Sequence, residues 1–306
     1  MKTVFLFSGQ GSQYPGMGGE LVEKSSAGKR ILECGSDIMG LDLAKKLTES
    51  TPEELAQTRL SQPAIFTTSL LALEAARENG IENVAVAGHS LGEYAAMYAA
   101  GVLGMEDAFR AIKLRSEAMA KAAEATGGAM AAIIGSDNET IAKVCEEVSG
   151  FCAPANYNSP QQTVIAGEAA AIDEAIAKFA DMGKRAVKLA VSAAFHTKLM
   201  GGAAEEFKAA IQSFKFAQPM CDFYSNLYGK KLDGAPDAEY LAAHICSPVR
   251  FTDELEAMNT AGIDAYLELG PGKVLTGLVK KTYRGANALH IENAETLEKA
   301  IAALKD

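Results

Sequence analysis

The sequence predicts an α/β protein: a large domain on a mostly parallel sheet, interrupted by a small βαββαβ unit. Three observations predict it. Short apolar runs without polar alternation, at residues 4–7, 83–87 and 265–269, read as strands buried on both faces. Stretches of helical periodicity lie between them, so strands alternate with helices, as in a parallel sheet covered on both sides. Between residues 127 and 191 the rhythm changes to strand, helix, two strands, helix, strand, a ferredoxin-like order.

The elements follow in turn. "VFLF" at 4–7 is a buried strand closed by the turn-rich "SGQGSQYPGMGG". The clearest helix is expected over 63–78, "PAIFTTSLLALEAARE", and further helices over 90–100 and 106–123. In the interruption, "GAMAAIIG" is a strand and "NETIAKVCEEV" a helix; "FCAPANY" and "QTVIAG" are strands split by the turn "NSPQ"; "EAAAIDEAIAKFADMG" is a helix and "KRAVKLAV" a strand. Helices resume after His196, and the strand 265–269 runs into "GPGK". Neither flanking piece has enough strands for a sheet of its own. Residues 1–126 and 192–306 are therefore expected to form one discontinuous domain, with 127–191 as the inserted subdomain.

Composition narrows the function. A chain of 306 residues with 48% hydrophobic and 22% charged content can bury a substantial core. A net charge of −10 argues against nucleic acid as a broad-surface partner, because phosphate binding needs a basic field. The five cysteines form no C-x-x-C pair and are odd in number, which fits reduced thiols in a cytoplasm better than a disulfide scaffold or structural zinc. The apolar run at 4–7 is too short for a signal peptide and no stretch approaches a membrane span, so a cytoplasmic location is expected. No metal-ligand cluster appears, and neither "FSGQGSQYPGMG" nor "GPGKVL" fits a phosphate-loop or dinucleotide fingerprint; no metal and no cofactor are expected.

The chemistry concentrates in "GHSLG" at 88–92, which fits G-x-S-x-G between a strand and a helix. A serine on such a sharp turn projects its hydroxyl clear of the backbone, and the N–H that follows points at a developing oxyanion. Ser90 is therefore the candidate nucleophile, and it needs a base. Of the four histidines, His89 adjoins Ser90 and should point elsewhere, and His290 near the end of the chain reads as structural. His196, after "VSAAF" at the expected start of a helix, is placed to reach a cleft. With 110 residues after it and the inserted unit before it, the arrangement departs from that of a lipase or esterase.

Several stretches together resemble the malonyl-CoA:acyl-carrier-protein transacylases of fatty acid and polyketide synthesis. These are "FSGQGSQ", "GHSLGE" and "AAFH" ending at His196, with "QPAIF", "KLRSEAM", "GAMAAIIG", "NYNSPQQTVIAG", "SPVRF" and "ELGPGKVLTGL" in family order from residue 5 to about 278. The resemblance implies a hydrolase-like α/β domain with a ferredoxin-like insertion and a ping-pong transfer of malonate through a malonyl-Ser90 ester, with His196 as the base. It implies an oxyanion hole from the N–H groups of Gln10 and Leu91. It makes Arg115 the clamp for the malonate carboxylate, where residue type alone reads as a surface arginine paired with Glu117. A guanidinium pairs a carboxylate bidentately, which suits a small closed pocket.

Phe195 is implied to leave no room for an α-methyl group, a preference usually worth about 1–3 kcal/mol. Gln62, Asn156, Asn158, Gln162 and Arg185 are the remaining implied substrate-binding residues. His244 stands where the family commonly has glutamine, whose main-chain carbonyl supports the catalytic histidine. The expected partners are malonyl-CoA and acyl carrier protein, with the enzyme acting as a monomer and touching neither nucleic acid nor membrane. An acidic carrier needs local basic patches on this acidic chain, and Lys184, Arg185 and Lys188, or Lys280, Lys281 and Arg284, are the clusters to examine. A thioester hydrolase and a non-catalytic carrier-docking subunit are the competing readings.

Overall fold

A computed structural model describes residues 1–304 and contains two sheets. The large sheet has the order β10-β9-β1-β2-β7-β8, formed by β1 (Thr3–Phe7), β2 (Ala85–Gly88), β7 (Asp222–Ser225), β8 (Lys230–Lys231), β9 (Ala265–Leu269) and β10 (Asn287–Ile291). All pairs are parallel except β7 with β8. Strands β1, β2 and β9 are buried along their whole length, as strands covered on both faces must be. Alternation then divides the core. Phe5, Phe7, Val86 and Leu267 pack on one side of the sheet, and Val4, Leu6, Ala85 and Tyr266 on the other.

The small sheet is antiparallel with the order β4-β5-β3-β6, formed by β3 (Ala129–Ile134), β4 (Cys152–Ser159), β5 (Gln162–Gly167) and β6 (Arg185–Lys188). Helices Asn138–Glu147 and Ala169–Asp181 cover it through Ile141, Val144, Ile172 and Phe179. The sequence places the elements of the small sheet in the right order and marks no strand at Asp222–Ser225 or Lys230–Lys231; elsewhere the differences lie at the ends of elements. The helix expected from 63 runs over Thr58–Glu78 and carries Pro63 inside it. The helix expected from Ser90 is Gly92–Ala99, because Ser90 itself adopts a left-handed backbone with φ 56°. His196 does not start a helix either: its φ is 60°, and the helix Gly201–Ile211 follows a 3-10 turn at Lys198–Met200.

Strand β4 of the small sheet approaches the carboxyl end of β2, where Asn158 Oδ1 meets the His89 ring at 2.8 Å, and packs on the segment before the helix Phe251–Thr260. Asn156 of β4 bridges Val249, and the Tyr157 N–H donates to the Val249 carbonyl at 2.8 Å. The small sheet thereby closes over the strand ends of the large one, where open α/β sheets bind their ligands.

Candidate active site

The site is built on the β2 turn. Gly88 and Gly92 are required there by space: a Cβ on Gly88 would lie 2.1 Å from the Gly92 carbonyl carbon, and one on Gly92 would lie 2.1 Å from the Phe7 oxygen. This packing forces the tight strand-to-helix reversal and leaves Ser90 in its left-handed conformation, a strain of order 1–3 kcal/mol. Three amides follow in succession. The Ser90 N–H donates to Asn226 Oδ1 at 2.7 Å and the Gly92 N–H to the His89 carbonyl at 3.0 Å. The Leu91 N–H has no acceptor among the described residues, at the start of the helix Gly92–Ala99.

Ser90 Oγ donates to His196 Nε2 at 2.7 Å. His196 Nδ1–H in turn donates to the carbonyls of His244 and Ser247, both at 3.1 Å, which fixes the tautomer with a bare Nε2 facing the serine. Burial, and then the charge of Arg115, push the His196 imidazole down to about 3, so it is neutral and able to accept a proton at physiological pH. The His244 main-chain carbonyl lies against His196 Nδ1, where the resemblance places such a carbonyl. The imidazole of His244 approaches as well, with ring centroids 5.4 Å apart, and is itself held neutral by burial.

Arg115, on the helix Met105–Thr126, does not pair with Glu117 on the surface. It is buried, lies over the Tyr94 ring at 5.4 Å, and donates from Nη2 to Ser90 Oγ at 3.0 Å. No carboxylate forms a salt bridge with it among the described residues. A buried guanidinium with no carboxylate partner among the described residues, set beside a hydroxyl, is suited to pairing with an anion.

These groups face a cavity of about 260 Å³ lined by Gln10, Ser90, Arg115, Asn156, Phe195 and His196, with Met119, Met130, Leu189 and Val191 supplying apolar wall. A second cavity of about 420 Å³ shares Ala56, Ala190, Val191 and Phe195 with it, so the two adjoin at Phe195.

Four of the expected substrate residues lie elsewhere. Gln62 is fully buried behind the wall, its Nε2 3.6 Å from Met119 Sδ, because the helix Thr58–Glu78 turns it toward the helix Met105–Thr126. Asn158 is occupied by the His89 ring, Oδ1 to Nε2 at 2.8 Å. Gln162 sits at the start of β5 opposite Ile134, and Arg185 is exposed on the edge strand β6. Of the implied binding residues, the fold brings Asn156, Phe195 and Arg115 to the serine.

Sequence reasoning missed a buried polar layer beneath Ser90. Glu93 Oε1 accepts the Asn226 N–H at 2.7 Å and the Tyr240 hydroxyl at 2.8 Å, while Asn226 Nδ2 donates to Glu254 Oε1 at 2.6 Å. Burial raises the Glu93 carboxyl to about 8 and Glu254 well above the usual carboxylate range. A glutamate in an otherwise buried, alanine-rich helix was the available signal for Glu93; "YSNLYGK" offered none for Asn226.

A strained serine on a strand–helix turn, a neutral imidazole in contact with it and a guanidinium beside it together suit the chemistry of an acyltransferase. The sequence model described as "Acyl transferase domain" matches residues 4–304, and the chain belongs to that family. It is 39% identical to the malonyl CoA-acyl carrier protein transacylase of Bacillus subtilis, covering 100% of this chain and 98% of the relative. The enzyme of the same name from Staphylococcus aureus is 34% identical, covering 97% of each chain. Among solved structures, the malonyl CoA-acyl carrier protein transacylase of Clostridium perfringens superposes with a TM-score of 0.94 at 34% identity, over 100% of this chain and 98% of that one. A malonyl-transacylase in complex with its type II PKS acyl-carrier protein superposes at 0.93 with 34% identity, over 99% of this chain and 100% of that one.

Proposed function

We propose that the protein transfers malonate from malonyl-CoA to the pantetheine thiol of acyl carrier protein through a malonyl-Ser90 ester, supplying extender units for fatty acid synthesis. The observation that carries this reading is the donation of Arg115 Nη2 to Ser90 Oγ at 3.0 Å, from a buried guanidinium that lacks a carboxylate. Malonyl-CoA brings that carboxylate, with its thioester carbonyl two bonds further along and within reach of the serine.

The geometry supports two half-reactions. Ser90 Oγ attacks the thioester carbonyl as its proton passes to His196 Nε2. The Leu91 N–H, free of an internal acceptor, and the Gln10 N–H in the loop after β1 receive the oxyanion; such donors are worth roughly 3 kcal/mol each. Collapse breaks the carbon–sulfur bond, and His196 returns the proton to the departing CoA sulfur. In the second half-reaction the carrier thiol gives its proton to His196 and attacks the ester carbonyl; the carbon–oxygen bond to Ser90 breaks, and His196 passes that proton to Ser90 Oγ. Phe195 and Asn156 shape the acyl pocket, and the His244 carbonyl keeps His196 in register.

Carrier docking is assigned to two basic clusters. Lys184 and Lys188 are already engaged, with the Gly135 carbonyl and with Asp173, whereas Arg185 is exposed on β6. The second cluster, Lys280, Lys281 and Arg284, lies at the end of the helix Val274–Thr282 and just beyond it. No described helix is long and apolar enough to cross a membrane, and the five free thiols suit a reducing cytoplasm, where we place the enzyme as a monomer.

The test is mass spectrometry after brief exposure to malonyl-CoA, followed by addition of carrier protein. A malonyl group mapped to Ser90, discharged onto the carrier, is the expected result. Free malonate as the main product would make the protein a thioester hydrolase, and no adduct on the serine would leave it a carrier-docking subunit.

A further inference from the structure

The loop after β7 sets Asn226 directly under the serine, fully buried, with every hydrogen-bonding capacity of its side-chain amide used. Oδ1 accepts the Ser90 N–H at 2.7 Å and faces His244 Nε2 at 3.3 Å. Nδ2 donates to the Gly88 carbonyl at 2.6 Å and to Glu254 Oε1 at 2.6 Å. The Asn226 main chain is held just as firmly, its N–H by Glu93 Oε1 at 2.7 Å and its carbonyl by the Arg250 N–H at 2.9 Å. The amide therefore grips the backbone on both sides of His89, at Gly88 and Ser90. On its other side it touches His244, whose carbonyl holds His196 Nδ1.

We propose that Asn226 is a positioning residue for acyl transfer: its carboxamide bridges the nucleophile's backbone and the residue that orients the base, and so sets the Ser90–His196 contact. This rests on Ser90 and His196 acting as nucleophile and base. Residue type follows from the four partners. The Ser90 N–H can meet only an acceptor and the Gly88 carbonyl only a donor, so the site requires one of each in a single flat group. Alanine supplies neither. Aspartate has the right shape but can donate only while protonated; once ionised it turns an anion on the Gly88 carbonyl. Loss of the bridge frees the strained serine to relax and move relative to the imidazole, and small displacements of this kind cost on the order of 100-fold in rate.

The experiment is rapid-quench measurement of Ser90 acylation by malonyl-CoA and by acetyl-CoA, in the full chain carrying Asn226→Ala or Asn226→Asp. Circular dichroism reports the folded fraction to which each rate is referred. Asn226→Ala is expected to acylate about 100-fold more slowly with either donor, at a KM within about threefold of the wild type. Asn226→Asp should come close to the wild-type rate at low pH and lose it as pH rises, a profile that a purely structural residue would not produce. A folded Asn226→Ala enzyme acylating at the wild-type rate overturns the proposal, as does a folded Asn226→Asp enzyme whose deficit is the same at every pH. Should the alanine variant not fold, the aspartate pH profile decides alone. Absence of malonyl from Ser90 in the wild type would remove the underlying reading and this proposal together, whereas a labelled wild type matched by its variants would remove only the role of Asn226.

Discussion

Ser90 and His196 are the two non-glycine residues with left-handed backbone among those described, at φ 56° and 60°, and their side chains meet at 2.7 Å. Strain is thus concentrated on the two residues that must touch. The Gly88–Gly92 packing holds one, and the carbonyls of His244 and Ser247 hold the other.

Replacement at position 90 separates strain from chemistry. Both Ser90→Ala and Ser90→Gly are expected to abolish the malonyl adduct. Glycine adopts the left-handed region without penalty, so Ser90→Gly should be more stable than Ser90→Ala by about 1 kcal/mol. Chemical denaturation of the two variants measures the difference; equal stability would show that position 90 carries no strain.

Arg115→Ala should impair malonyl-CoA selectively, by about 100-fold or more in kcat/KM, and spare or improve acetyl-CoA, which has no carboxylate to pair. Competition between the two donors measures this directly. Equal loss for both would assign Arg115 to the serine hydroxyl alone.

Serine acylation should not follow an ordinary imidazole titration. His196 is reactive when neutral, and burial together with Arg115 lowers its pKa to about 3, so the rate should stay flat as pH falls through 6.5 and decline only in strong acid. Unfolding exposes the imidazole to protonation below its ordinary pKa, so stability should fall with acid before the chemistry of the surviving folded enzyme does. Single-turnover acylation across pH 5 to 8, referred to folded enzyme, checks the flat rate, and chemical denaturation over the same range in steps of about one unit checks the loss of stability.

Glu93 has the opposite sign. Its folded carboxyl titrates at about 8 against 4.5 in an ordinary glutamate, so between those values the folded state holds a proton that the unfolded state has lost. This contribution lowers stability as pH rises, by up to about 1.4 kcal/mol per unit. Glu93→Gln keeps an acceptor for the Asn226 N–H and the Tyr240 hydroxyl. Its melting temperature should gain on the wild type as pH increases from 5 to 8, by thermal scans at about one-unit intervals. A constant difference would mean that Glu93 stays ionised in the fold.

Much of the molecule was legible before folding. The strand runs at 4–7, 83–87 and 265–269 are nearly continuous apolar stretches, and burial on both faces of a parallel sheet demands that pattern. The element order of the small sheet could be read for a similar local reason, since its turns and helices are marked by residues next to them. The start of the helix Gly92–Ala99 was misplaced because propensity favours extending a helix to Ser90, whereas contact with Phe7 across the sheet fixes the turn.

By itself the sequence determined the element order of the small sheet, the buried strands at 4–7, 83–87 and 265–269, the glycine-flanked serine and the family, because each is carried by residues close together in the chain. Tertiary structure decided that Arg115, which residue type alone reads as a surface arginine, donates to Ser90 Oγ, that Gln62 stops one layer behind Met119, and that Asn226 lies beneath Ser90. The partners in these contacts are 25, 57 and 136 residues apart, and their meeting depends on how helices and sheets cross. Local periodicity specifies which face of an element is apolar; only packing specifies what that face meets.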